Sequence, residues 1–392
     1  MTPAARVAAA IGILDLVIAA AEGQGAPADR IVADWARGNR YAGSKDRRAV
    51  RELVYGAIRA CGPVPASGRA AMLRLAEIDP LIAPLFDGTP YGPPAIGAGE
   101  RAAAGGIAPL WLEERLTASD IIGAEAEALL DRAPLDIRVN SLKGGRDGLD
   151  LPVEAEKLPF GNGLRLPSGT QIEQWPAYLE GLIEVQDAGS QAVCMAAGAK
   201  AGETVIDLCA GAGGKTLALA AAMGNSGTLV AADTDRGRLQ RLAPRAERAG
   251  ALVETTVLLN PGRELESLGH WHGKADLVLV DAPCSGTGTW RRNPESRWRL
   301  TPAELQRLID LQARLLAIAA TLVKPGGRIA YVTCSLLDEE GAGQVEQFLA
   351  ANPDFAARAC DLQQGRPRGP GQRLTPHHDS TDGFFIATLF RS

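Results

Sequence analysis

An α/β chain with an all-helical beginning is the fold class this sequence predicts, on three observations. Apolar residues recur at three- and four-residue spacing over residues 1–85, the pattern of amphipathic helices. From Gly202 onward, strand-like runs alternate with helical ones, as in a parallel sheet covered on both faces. At 392 residues the chain has room for two or three domains, and 46% apolar with 22% charged residues excludes a wholly disordered one.

The elements follow in order. Met1–Ala21 is apolar but interrupted by Asp15, so it predicts an amphipathic helix with Val7, Ile11, Leu14 and Ile18 on one face. A membrane span or cleaved signal peptide is not expected there, because the apolar runs are too short. Val50, Leu53, Val54 and Ile58 mark a further helix, with Ser44 as its expected N-cap. Pro and Gly crowd 88–106, the composition of a linker or long surface loop. Ala108–Leu130 reads as helix, while Leu135–Asn140 and Gly163–Pro167 read as short strands.

Beyond Gly202, strands are expected at Thr204–Leu208, Thr228–Ala232, Leu252–Leu258, Asp276–Val280 and Arg328–Thr333. Helices are expected at Thr216–Met223, Arg236–Arg248 and Pro302–Val323. Thr301, Pro302 and Glu304 form an N-terminal signature for the last of these, and Lys324-Pro-Gly-Gly327 stops it. Phe384–Phe390 is expected to return antiparallel. Three domains result: 1–106, helical with its linker; 107–198, a small α/β module; and 199–392, doubly wound.

The net charge of −5, from 41 basic and 46 acidic residues, argues against a chain that coats nucleic acid or an anionic membrane. Local balance differs. Residues 30–59 carry eight basic side chains against three acidic, and Arg291, Arg292, Arg297 and Arg299 stand against Glu295 within 290–299. Residues 1–106 sum to +2 and 107–392 to −7, so the acidic excess belongs to the C-terminal part.

Thr204-Val-Ile-Asp-Leu-Cys-Ala-Gly-Ala-Gly-Gly-Lys-Thr216 runs from strand through a glycine-rich turn into helix, where backbone amides can approach a ligand. A phosphate-binding P-loop would need glycine where Cys209 stands, and a dinucleotide fingerprint would need it at Thr216. A nucleotide site of a third kind remains. Asp233 ends the second strand, 22 residues after Gly211, where it could accept both ribose hydroxyls. Asp281 ends the fourth strand, and ligands of open parallel sheets bind at such carboxyl ends.

Cys61, Cys194, Cys209, Cys284, Cys334 and Cys360 are too sparse for a disulfide scaffold and include no C-x-x-C pattern, which fits a reducing cytoplasm. Cys284 and Cys334 each follow a predicted buried strand, in polar Pro/Thr/Ser/Gly turns at the ligand end of the sheet. Two such cysteines point to nucleophilic chemistry, for which a thiolate is needed. Lys215 and Arg291 are the candidate cations that would lower a thiol pKa. His270, His272, His377 and His378 read as surface residues, and no metal site is expected.

Asp207-Leu-Cys-Ala-Gly-Ala-Gly-Gly-Lys-Thr216, Asp281-Ala-Pro-Cys-Ser-Gly-Thr-Gly288 with Arg291-Arg-Asn-Pro294, and Thr333-Cys-Ser335 resemble the RsmB/Sun/Nop2 (NSUN) family of RNA cytosine-C5 methyltransferases, above all its bacterial 16S rRNA members. The resemblance extends to Leu135–Leu142, Val185–Gln191 and Asp382-Gly-Phe-Phe385, and Gly43–Arg59 is similar to part of a NusB-like helical domain. It implies a Rossmann-like class I methyltransferase domain behind a small α/β module and a NusB-like, RNA-binding helical domain. It also implies S-adenosyl-L-methionine as methyl donor and 16S rRNA as partner, with tRNA the nearest rival substrate.

Carried over by motif, the family's pattern makes Cys334 the nucleophile at cytosine C6, with Asp281 on N3 and Cys284 assisting loss of the C5 proton. Cys209, Ala210, Gly211, Ala212, Gly213, Gly214 and Lys215 would surround the cofactor's methionine part, with Asp233 on its ribose and Asp281 beside it. Ala212 stands where many relatives have Pro, and Asn260 where they have an acid near the adenine, whose edge an amide can also bond. Arg138, Arg291, Arg292 and Arg297 are the expected RNA contacts. A cytoplasmic monomer without metal or membrane is expected. A non-catalytic ribosome-assembly factor and a P-loop nucleotidase are the rivals from other classes.

Overall fold

The structure, a computed structural model, describes every residue except Gln24, Asp361 and Gln363. It divides into two compact units: Met1–Asp131 with Thr289–Thr301, and Arg132–Gly288 with Pro302–Ser392. This differs from the division expected at 106 and 198. The helical unit runs on to Asp131 and takes a distant segment, and the small α/β module belongs with the large sheet.

In the first unit, α1 (Pro3–Glu22), α2 (Ala28–Gly38), α3 (Ser44–Ala60), α4 (Gly68–Ile78) and α5 (Leu110–Ala118) are the main helices. Val7, Ala10, Ile13, Leu14 and Val17 of α1 pack with Val50, Val54 and Ile58 of α3 and Met72 of α4. Val7, Leu14 and Ile18 of the expected face are buried, Ile13 and Val17 join them in the core, and Ile11 is only half-buried. Asp15 has a structural use, since it accepts the Gly68 N–H at the start of α4 (2.6 Å). A Cβ on Gly68 would lie 2.2 Å from the Ile11 carbonyl oxygen, so α4 can begin there only with glycine.

The cap of α3 is Gly43, whose N–H donates to Asp46 (3.3 Å), and Ser44 is already helical. Residues 88–106 are no linker. They fold back on α4, with the Ala103 N–H on the Ala70 carbonyl (2.9 Å) and the Gly62 N–H on that of Ala104 (3.1 Å). The helix expected over Ala108–Leu130 breaks after α5, where Gly123 takes a positive φ of 53° before two short helical turns.

In the second unit, β1 (Leu135–Val139), β2 (Glu156–Lys157), β3 (Gly163–Leu166) and β4 (Ile183–Val185) make a four-stranded antiparallel sheet in the order β2-β3-β1-β4. The larger sheet uses β5 (Thr204–Asp207), β6 (Thr228–Asp233), β7 (Thr255–Leu258), β8 (Ala275–Asp281), β9 (Val323–Thr333), β10 (Phe355–Arg358), β11 (Arg366–Arg368), β12 (Gly371–Leu374) and β13 (Phe384–Arg391). Among the described residues these nine strands run β11-β12-β13-β9-β8-β5-β6-β7, with β10 on β13. β5 to β9 are mutually parallel, and β13 returns antiparallel on β9, as expected.

Alternate residues of each central strand enter opposite cores. Val205, Leu277, Leu279 and Ala330 pack on one face, and Ile206, Val278, Val280 and Ile329 on the other. Burial on both faces explains why these strands read as continuous apolar runs. The helix expected over Arg236–Arg248 is two, Arg236–Leu239 and Leu242–Ala249, because Pro244 lacks the N–H that would bond the Gln240 carbonyl. β9 reaches back to Val323, through the Lys324–Gly327 turn, with an irregularity in its register on β8.

Candidate active site

The parallel strands begin at β5 and grow outward in both directions, to β6 and β7 on one side and to β8 and β9 on the other. The crevice at such a switch point opens at the strands' carboxyl ends. The glycine-rich turn after β5, Asp233, Asn260, Asp281, Cys284 and Cys334 all lie at those ends.

The turn is tightly tied on its inner side. The Leu208 N–H donates to Leu279 O and the Ala210 N–H to Ala232 O, both at 2.9 Å, while Arg245 Nη1 holds the Ala212 carbonyl at 2.7 Å. Gly211 and Gly213 have φ of +55° and +89°, where other residues are strained. A Cβ on Gly211 or Gly214 would meet nothing within 4 Å, so the turn is open on one side to a ligand.

Asp233 takes the Gly211 N–H on one oxygen and the Asp235 N–H on the other, each at 2.7 Å. A carboxylate oxygen can accept twice, so capacity for two ribose hydroxyls remains. Asn260 is exposed two residues beyond β7, and the neighbouring Leu259 N–H bonds the Asp233 carbonyl (2.8 Å).

Asp207 is fully buried. Oδ2 accepts the Thr216 hydroxyl (2.6 Å), and Oδ1 has no hydrogen-bond partner among the described residues. Burial pushes its pKa up to about 7 against the Thr216 bond, which lowers it. Lys215 Nζ pairs with Asp281 Oδ2 at 2.6 Å and lies over the Phe384 ring. Burial would depress this ammonium, but Asp281 outweighs it and the pKa stands above the ordinary lysine value.

Cys284 Sγ and Cys334 Sγ are 3.3 Å apart, both half-buried. Their turns are joined by the β8–β9 register, which pairs Asp281 with Val332, and by the Gly288 N–H on the Cys334 carbonyl (2.9 Å). The expected cationic lowering does not reach Cys284. Its hydrogen bond with Cys334, then burial, hold its pKa well above that of a free thiol. Burial likewise raises Cys61 and Cys194, each to about 11, and Cys209 and Cys360.

Of the arginines expected to hold RNA, Arg138, Arg291 and Arg297 are buried and Arg292 is half-buried. Arg297 is fully buried in the helical unit and donates to the carbonyls of Ile58 and Cys61 (2.7 Å each) and of Pro294. At the end of α3 this guanidinium supplements the Cys61 N–H on Ile58 O (3.3 Å) and bonds the carbonyl of Cys61, although burial draws its pKa down to about 10. Arg291 is buried in the same unit and Arg292 half-buried. Arg138, on β1, is buried and donates to Gln186 (2.7 Å), whose amide in turn reaches Gly214 O at 3.4 Å. The guanidinium of Arg297 is thus engaged by backbone carbonyls, and that of Arg138 by Gln186. All four histidines are exposed.

Sequence reasoning missed Arg245, Gln186, Ser285, Ser335 and Glu340. The serines each directly follow a singled-out cysteine, and Gln186 lies in the Val185–Gln191 stretch; Arg245 and Glu340 carried no such signal.

Sheet order and strand-end acids define a Rossmann-like methyltransferase fold, and solved structures share it. The crystal structure of PH0851 superposes with a TM-score of 0.76, at 26% identity over 99% of both chains. A methyltransferase homolog protein from Pyrococcus horikoshii gives a TM-score of 0.58, at 31% identity over 69% of this chain and 90% of that one. The chain belongs to the 16S rRNA methyltransferase RsmB/F family, which residues 194–390 match. The probable ribosomal RNA small subunit methyltransferase B of Synechocystis sp. is 37% identical over 298 residues, covering 68% of this chain and 63% of the relative. The match thus spans less than two thirds of that relative's length.

Proposed function

We propose that this chain methylates C5 of a cytosine in 16S rRNA, with S-adenosylmethionine as donor and a covalent bond from Cys334 to cytosine C6. The observation that carries the reading is the 3.3 Å contact between two thiols past neighbouring strands, beside the Lys215–Asp281 pair. Fit to the cofactor is supported by the open side of the turn at Gly211 and Gly214 and by the acceptor capacity left on Asp233. Cys209 to Lys215 would hold its methionine part, Asp233 the ribose and Asn260 the adenine edge. When bound, S-adenosylmethionine supplies an electrophilic methyl group.

Cytosine C5 is too weak a nucleophile to take that group unaided. The Cys334 thiolate adds to C6, and the C5=C6 electron pair becomes available at C5 and, through the ring, at N3. Asp281, held on Oδ2 by Lys215, takes a proton from solvent on Oδ1 and donates it to N3 as that charge builds. After C5 has been substituted, Cys284, its own proton released to solvent, takes the C5 proton as a thiolate, and Asp281 takes back the proton given to N3. The electrons of the C–H bond re-form C5=C6, and the Cys334–C6 bond breaks to return the thiolate.

The helical unit is of the NusB-like kind and contacts RNA through exposed residues such as Arg30, Arg37, Arg40, Lys45, Arg48 and Arg51, with Arg292 contributing. The enzyme acts as a cytoplasmic monomer. Labelled methyl transfer to small-subunit RNA tests the roles of the two thiols. Cys334→Ala should abolish transfer, and Cys284→Ala should leave a protein–RNA species that survives denaturation. Full activity in Cys334→Ala, or trapping in that variant alone, overturns the assignment.

A further inference from the structure

The residue after each of the two cysteines is a serine, and the serines touch. Ser285 Oγ lies 3.1 Å from Ser335 Oγ, one residue along from the 3.3 Å contact between the thiols. Proton directions in this cluster are fixed, because it ends on a carboxylate that only accepts. Glu340, fully buried, takes the Ser285 hydroxyl on Oε2 and the Ser285 N–H on Oε1 at 2.9 Å. With its proton committed, Ser285 Oγ can only accept from Ser335. Ser335 Oγ in turn accepts the Thr287 hydroxyl (3.2 Å) and the Leu337 N–H (3.1 Å), and Thr287 accepts the Leu336 N–H (2.8 Å). One directed chain, Thr287 to Ser335 to Ser285 to Glu340, therefore stitches the turn after β8 to the turn after β9.

Glu340 is held from beneath. Gln312 donates to its Oε1 and to the Pro283 carbonyl, both at 2.9 Å, and the Tyr331 hydroxyl bonds the Glu340 carbonyl at 2.8 Å. Two of the carboxylate's three donors come from Ser285, and Gln312, the third, also holds Pro283, the residue before Cys284. A buried charge of this kind is weak support for stability, since a well-packed apolar residue commonly serves as well.

We propose that Glu340 is a positioning residue for the reaction: through Ser285 and Ser335 it holds Cys284 against Cys334, so that the proton-accepting thiol stays beside the carbon bonded to the nucleophile. This rests on the cysteine roles proposed above. Glu340 itself touches neither thiol nor substrate.

The test follows iodoacetamide alkylation of Cys284 in the full chain against pH, read by peptide mass spectrometry. The hydrogen bond with Cys334 raises this thiol first, then burial, then the charges of Cys334 and Glu340, while the Gly286 N–H lowers it and Tyr331 also faces it. Loosening the clamp should lower the midpoint of Cys284 alkylation by about one pH unit in both Glu340→Leu and Ser335→Ala, as the hydrogen bond to Cys334 is lost. Glu340→Gln should shift it less, because the amide can re-bond Ser285 with the chain reversed. General destabilisation would not move this midpoint in the folded protein. If Glu340→Leu does not fold, Ser335→Ala alone decides. An unmoved midpoint in the folded variants overturns the proposal, all the more clearly if Cys334→Ala moves it.

A second readout is accumulation of the denaturant-stable protein–RNA species in Ser335→Ala, as in Cys284→Ala. Should Cys284→Ala trap nothing, the cysteine roles fall, while the alkylation profile still judges the clamp.

Discussion

Arg297 offers the sharpest contrast between a surface and a structural reading of one residue. In Arg297→Ala the carbonyls of Ile58, Cys61 and Pro294 lose this donor. Ile58 O keeps the Cys61 N–H (3.3 Å), and a buried acceptor left unsatisfied costs about 1–3 kcal/mol, so the other two would cost roughly 2–6 kcal/mol gross. Two effects offset that sum: water can enter the vacated volume, and a charge that burial disfavours is no longer held there. A net loss of about 2–4 kcal/mol remains, which for a unit of this size lowers the melting temperature by roughly 6–12 °C. Calorimetry on the full chain measures it, and amide hydrogen exchange around residues 58–62 should localise it. Arg297→Lys keeps the charge but not the planar fork, and should recover only part of the loss. A melting temperature within about 1 °C of wild type, with RNA affinity reduced equally across sequences and its salt dependence shallower by about one ion, would refute this reasoning.

Two further predictions concern the glycine-rich turn. Asp207 has a pKa of about 7 in the fold against an ordinary 3.8, so between those values the unfolded chain has released a proton that the folded chain keeps. Stability should therefore fall as pH rises from about 4 to 7, and Asp207→Asn should gain a few kcal/mol on wild type over that window; a pH-independent difference in urea titrations would contradict it. Arg245→Ala frees the Ala212 carbonyl and breaks the pair with Glu184, and should weaken S-adenosylhomocysteine binding about tenfold in calorimetric titration. Unchanged affinity would mean that the glycines alone set the turn.

The crevice was legible in the sequence because its parts are local. Each strand-end acid or cysteine is announced by the apolar run just before it, and parallel topology gathers all such ends on one edge. Arg297 was not legible for the opposite reason: its partner Cys61 stands 236 residues away, and a cluster of arginines reads the same whether it faces phosphate or carbonyl oxygens. The charge division suffered likewise. With its true boundaries the helical unit holds seventeen basic and seventeen acidic residues, so the apparent excess over residues 1–106 vanishes. What remains is local, in the exposed basic residues between Arg30 and Arg51. Glu340 sits in an Asp-Glu-Glu run that reads as a solvated acidic turn, and only the fold reveals that it alone of the three is fully buried.

The central claim is that this chain makes 5-methylcytosine in 16S rRNA. Bisulfite sequencing of total RNA, from cells with the gene intact and with it deleted, tests that claim most directly. The account predicts one 16S cytosine that resists conversion only in the intact cells, with protection restored by the wild-type chain but not by Cys334→Ala. Identical conversion in both strains, or a change confined to tRNA, would contradict it.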